Sequence, residues 1–107
     1  MEQATDKILN LLGLAQRAKK LAVGRSAVLD ACDKGRAELV IACRPFKRDL
    51  RIFLEKLPAE TPIYAMDLAN EVLGARLGRA GVAVLAVTDK SFAVGLQAHL
   101  SDPFKPE

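Results

Sequence analysis

Leu39-Val40-Ile41-Ala42-Cys43 is an unbroken apolar run that stops at the basic residue Arg44. It lacks the alternation of a half-exposed strand and has the pattern of a strand buried on both faces. Val82-Ala83-Val84-Leu85-Ala86-Val87 repeats that pattern later in the chain. Strands hidden on both sides need helices above and below, and the flanking sequence supplies them. Upstream, Val28, Ala31 and Cys32 share a helical face that Gly35 is placed to end. Downstream, Leu50, Phe53, Leu54 and Leu57 recur at helical spacing, in a segment that must end before Pro58. Further out, Ile8, Leu9, Leu12 and Ala15 mark a first helix over about 5–18, and Leu21-Ala22-Val23 a short strand stopping at Gly24. Pro62-Ile63-Tyr64-Ala65-Met66 reads as another strand. Asp67 is expected to cap a helix that turns Leu68, Val72 and Ala75 to the core and ends at Gly78. A last helix over about 91–100 follows Asp89, its expected cap, and the tail from about residue 101 is expected to fray. About four strands alternating with about five helices predict an α/β fold, a three-layer α/β/α sandwich. Its sheet should be largely parallel, in one domain spanning 1–107.

The composition, 50% hydrophobic and 27% charged over 107 residues, suits a compact core and excludes a disordered chain. Cys32 and Cys43 lie in apolar runs, too far apart for a CxxC site, and read as reduced core thiols. No stretch approaches ~20 apolar residues, and the first ten residues lack the order of an export signal. The expectation is a soluble, cytoplasmic protein without a membrane partner. Signals of catalysis are missing. His99 is the only histidine and is expected on a helix surface. No Ser-His-Asp or Cys-His arrangement can be assembled, and neither GxGxxG nor GxxxxGKS/T occurs. Gly78-Arg79-Ala80-Gly81 precedes a strand, whereas a phosphate loop opens onto a helix. The acids show no metal-ligand spacing. No enzyme, cofactor or metal is expected.

Charge is more informative. The 16 Lys and Arg exceed the 13 Asp and Glu by three, and they cluster. Arg17, Lys19, Lys20 and Arg25 form one stretch without an acid, and Arg44, Lys47, Arg48 and Arg51 another with Asp49 alone. If the stretches meet, they make one positive face for a polyanion; otherwise they are separate solvated surfaces. Gly24-Arg25-Ser26 lies where a strand hands over to a helix, and the open N–H groups of a helix start attract anions. Gly24 lets a nucleic-acid backbone approach, and Ser26 either caps the helix or donates to phosphate. Arg17, Lys19 and Lys20 would flank this spot or complement the dipole of the helix they end. The few aromatics sit at core positions, so a platform for single-stranded bases is not expected. An RNA partner would be structured.

Leu11-Leu12-Gly13-Leu14-Ala15-Gln16-Arg17-Ala18, then Lys20-Leu21 and Gly24, resemble the opening of the ribosomal L-seven-Ae family, in its bacterial YlxQ-like branch. The resemblance continues through Lys34-Gly35-Arg36-Ala37-Glu38-Leu39-Val40-Ile41-Ala42, Leu73-Gly74, Gly78 and the segment from Val84 to Phe92. It implies a four-stranded mixed sheet and binding of structured RNA, typically a kink-turn, with ribosomal RNA among the candidate partners. DNA is not expected as a partner. The implied RNA surface is the helix start at Gly24 together with Arg79-Ala80-Gly81. Where the family's kink-turn binders carry an Asn-Glu pair and a Lys, this chain has Ser26, Ala27 and Asp30. Each lost base contact removes about 1–3 kcal/mol of discrimination. Backbone positioning by Arg17, Lys19, Lys20, Arg25 and Arg79 remains expected. Asp30 should repel phosphate, or pair with Arg25 or Lys34. The loop from Arg44 to Arg48 would enlarge the RNA face or contact the ribosome or a translation factor. The competing reading is a protein-interaction adaptor of the translation machinery that has lost kink-turn reading; a substrate-recognition domain of an enzyme ranks below it. A continuous positive face over Lys20, Arg25, Arg44 and Arg79 would favour RNA, and an exposed apolar patch a protein.

Overall fold

A computed structural model describes residues 4–104. The elements run α1 (Ala4–Arg17), β1 (Leu21–Val23), α2 (Arg25–Asp33), β2 (Leu39–Arg44), α3 (Arg48–Glu55), β3 (Ile63–Asp67), α4 (Asn70–Arg76), β4 (Val84–Val87) and α5 (Lys90–Gln97). The four strands form one mixed sheet in the order β1-β4-β2-β3. β2 is buried on both sides as its sequence requires. Leu39, Ile41 and Cys43 face α1, α4 and α5, where Ile8, Leu12, Leu73 and Leu96 meet them. Val40 and Ala42 face α2 and α3, against Val28, Leu50 and Leu54. β4 alternates likewise, with Leu85 and Val87 on the first face and Val84 and Ala86 on the second. Each fully buried Leu, Ile or Val contributes about 1.5–3 kcal/mol, so the central pair β2 and β4 anchors both layers.

The sheet is not largely parallel. β2 and β3 pair in parallel, but β4 lies between β1 and β2 and is antiparallel to both. The cause lies after α4. α3, only one residue longer, passes the chain on to the far end of the sheet, but after α4 the chain turns back along its own helix. Gly78 ends the helix at φ 74°, and residues 79–82 double back until Val82 N–H donates to Asn70 O at 3.0 Å. β4 therefore starts at the end of the sheet where β3 stops, beside the last residues of β1 and β2, and runs the opposite way.

Other expectations also change. Asp67 does not cap α4: it is the last residue of β3, and Ala69 precedes α4 without a side-chain cap. Leu68 is partly buried against the core, whereas Val72 and Ala75 are exposed, and α4 buries Leu73 and Gly74 instead. α5 ends at Gln97, leaving His99 partly exposed in the turn beyond it; Asp89 caps α5 by accepting from Phe92 N–H at 3.0 Å. Cys43 is buried, but Cys32 is only half-buried. The tail does not fray at 101: Asp102 O accepts from Ala65 N–H, and Phe104 N–H donates to Ile63 O, both at 2.8 Å. The Phe104 ring then packs edge-on to Phe46 and lies under the Arg51 guanidinium. The rest of the expected frayed segment, 105–107, falls outside the described residues. Among the described residues no helix is long and apolar enough to cross a membrane, and no three His, Cys, Asp or Glu side chains stand together as metal ligands.

Candidate nucleic-acid interface

Because β1, β2 and β3 point the same way, their last residues come to one end of the sheet, and α2, α3 and α4 start there. The returning loop 79–83 joins them: Gly24 N–H donates to Val84 O at 3.0 Å, and Cys43 N–H to Ala83 O at 2.9 Å. Gly24 and Arg79-Ala80-Gly81 thus reach the same end. Gly24 precedes α2 at φ 93°, a conformation open to glycine, and a Cβ on it would meet nothing within 4 Å. Arg79, Ala80 and Gly81 are exposed. A cleft of about 480 Å³ opens between these elements, lined by Arg25, Arg44, Lys47, Asp49, Asn70 and Ala83 among others.

The helix starts here are chemically unusual. Gly24, Lys47 and Ala69 give no side-chain cap to α2, α3 and α4, and in α3 only the Leu50 N–H has a side-chain acceptor, Asp49 Oδ1 at 3.0 Å. The Ser26 side chain is exposed and makes no hydrogen bond among the described residues, so its capping role is not realised. Cations occupy the first positions, Arg25 on α2 and Lys47-Arg48 on α3. A positive charge at a helix N-terminus costs about 0.3–1 kcal/mol, so these placements serve something other than helix stability.

Ion pairs divide the cations. Arg25 reaches across to Asp49 on α3, Nη2 to Oδ2 at 3.1 Å. The Arg25 hydrogen bond holds the Asp49 carboxyl below its ordinary range. Arg44 is committed more fully: Nε and Nη2 fork onto the Asp67 carboxylate at 2.9 and 3.3 Å, and Nη2 also meets Asp102. These bonds, from Asp67 first and then Asp102, raise its proton affinity further. Arg44 therefore ties β2, β3 and the tail together and is not a free phosphate ligand. Lys47, Arg48 and Arg79 are exposed and make no ion pair among the described residues. Asp30 pairs with Lys34 at 3.2 Å, one helical turn on, and not with Arg25.

Arg17, Lys19 and Lys20 do not flank Gly24. They precede β1, whereas Gly24 follows it, and four residues of extended chain separate Lys20 from Gly24 by roughly 13 Å. The expected continuous face over Lys20, Arg25, Arg44 and Arg79 is not formed: Lys20 stands at the other end, and Arg44 is neutralised. The exposed large apolar side chains, Leu14, Leu29, Ile52, Val72 and Val94, are one to each helix. The sequence reading missed two contributors. Asp49, noted only as a lone acid, orients Arg25. Gly74, known only as part of the resemblance, supports the loop: a Cβ there would stand 2.7 Å from Gly81 Cα and 2.9 Å from Arg79 O. Its position on a helix far from the loop's pattern gave no local signal.

Among curated proteins none matches significantly. A solved structure of a Bacillus halodurans protein of unknown function is similar at 29% identity and TM-score 0.72, covering 87% of this chain and 95% of that one. A Giardia lamblia 15.5 kD RNA-binding protein shares the fold at 17% identity and TM-score 0.68, covering 92% of this chain and 86% of that one. The model of the ribosomal protein L7Ae/L30e/S12e/Gadd45 family matches residues 6–96, and the chain belongs to that family.

Proposed function

We propose that this chain is a non-enzymatic binder of structured RNA, acting in the cytoplasm in association with the ribosome or translation. The observation that carries the reading is the convergence of uncapped helix starts bearing Arg25, Lys47 and Arg48 with the exposed loop at Arg79. Such an end offers backbone N–H groups and cations to phosphates. Family membership supports it, as does the fold shared with a protein described as RNA-binding. The RNA is bent or looped, so that its backbone enters the cleft between α2, α3 and the 79–83 loop. Kink-turn recognition is weak, because Ser26, Ala27 and Asp30 supply neither the base contacts nor the phosphate-pairing lysine. Titration with a kink-turn RNA and a plain duplex of equal length tests the proposal. Both bind at low salt, and the kink-turn is preferred by less than about a hundredfold, the value of roughly one to two base contacts. Absence of binding to either RNA at low salt would refute it.

A further inference from the structure

We propose that the end of the sheet opposite the cleft is a second phosphate-contacting surface, so that the chain bridges two segments of one structured RNA. The proposal rests on the RNA reading above and extends it to residues that the cleft does not contain. The sheet brings three junctions together there. Lys20 O accepts from Thr88 N–H at 2.9 Å, and Glu38 N–H donates to Val87 O at 2.8 Å. The end of α1, the β4–α5 junction and the α2–β2 junction therefore stand side by side. They carry Arg17, Lys19, Lys20, Arg36 and Lys90, all exposed and without an ion pair among the described residues. At the cleft, by contrast, Arg25 and Arg44 are already held by carboxylates. The acids at this end are Asp33, Glu38 and, at the α3–β3 junction beside β2, Glu60, none of them in an ion pair, and Asp89, which caps α5.

Two of these cations stand where local structure disfavours them. Lys19 has φ 61°. Its N–H donates to Gln16 O at 2.9 Å, and the next N–H, of Lys20, to Ala15 O at 2.8 Å. That is the Schellman closure of a helix, whose left-handed position glycine fills best; Gly35 and Gly78 fill it in α2 and α4. Lys90 is the first residue of α5, where the helix dipole favours an acid. Dipole compensation favours Arg17 in the last turn of α1 and Arg36 just past the end of α2, but not Lys90. The positions share positive charge and exposure, the chemistry of a polyanion backbone.

The test compares three folded proteins, matched by thermal melts. These are the parent, a far-end variant (Lys19→Asn, Lys20→Gln, Arg36→Gln) and a cleft-end variant (Lys47→Gln, Arg48→Gln). Asn is chosen at 19 because it tolerates left-handed backbone. Each is titrated with one folded RNA of about 30 base pairs carrying an internal loop, across a salt series. The far-end variant should bind about tenfold or more weakly at moderate salt, with a log–log salt slope shallower by roughly 2–3. The cleft-end variant should lose affinity independently. A far-end variant matching the parent in affinity and slope, beside a weakened cleft-end variant, would overturn the second surface and leave the RNA reading intact. A parent that binds no RNA would remove both.

Discussion

Gly74→Ala tests how the interface loop is built. The added Cβ would lie 2.7 Å from Gly81 Cα, 2.8 Å from Gly81 N and 2.9 Å from Arg79 O. Ordinary contact begins at 3.4 Å, so α4 and the loop must separate by about 0.7 Å (3.4 less 2.7). The opposing atoms are backbone and cannot swing aside as a side chain would. They are also tied down, by Arg79 N–H to Gly74 O at 2.8 Å and Val82 N–H to Asn70 O at 3.0 Å. Overpacking of this kind costs about 1–3 kcal/mol. The helix gains back at most ~1 kcal/mol from replacing glycine with alanine. The expected net loss is about 1–2 kcal/mol, a fall in Tm of roughly 4–15 °C for a domain of this size. Gly13→Ala, in α1 with nothing within 4 Å of its Cβ, is the control and should be neutral or stabilising by up to ~1 kcal/mol. The assay is thermal unfolding with amide chemical shifts of 79–83, followed by RNA titration. A Gly74→Ala protein as stable as Gly13→Ala, with unshifted loop amides, would refute the close-packing argument.

Lys19→Gly should raise stability by about 0.5–1 kcal/mol, because relief of left-handed strain outweighs the freedom glycine adds to the unfolded chain; a lower Tm would show that Lys19 is unstrained. Asp49 should titrate below an ordinary aspartate by carboxyl NMR, since its folded pKa is depressed by Arg25. The pair's contribution is then present above the unfolded-state value and lost as pH falls through the folded one, and Arg25→Gln should return Asp49 to the ordinary range. Burial pushes the Cys43 thiol up to about 11, and Cys43 is only 4% exposed. Alkylation at pH 8 in the native state should therefore modify Cys32 well before Cys43, and equal rates would contradict the buried placement.

The layers were legible because burial writes itself into residue type. Leu39 to Cys43 must be hidden on both faces, and Leu50, Leu54 and Leu57 must face inward whatever the topology. Strand direction was not legible, because it depends on residues 79–82 turning back along α4, a reversal fixed by the Val82 N–H to Asn70 O bond between two elements. Asp67 was misread because its partner, Arg44, lies 23 residues away in sequence. At the site, Gly24, Arg25 and Arg79 came to the expected end, since a βα junction and a returning loop are local features. Arg17, Lys19 and Lys20 did not, because proximity in sequence to Gly24 is undone by the extended strand between them. The tail's docking on β3 could not be foreseen from SDPF, whose backbone partners belong to another element.

The most direct measurement is amide chemical-shift mapping of the labelled protein as structured RNA is added at low salt. Progressive, salt-reversible shifts are expected at 24–27, 47–49 and 79–83, the residues around the cleft, with Ser26 and Arg79 among the largest. Shifts confined to the helix faces around Leu29, Ile52 or Val94, or none at any residue, would contradict that expectation.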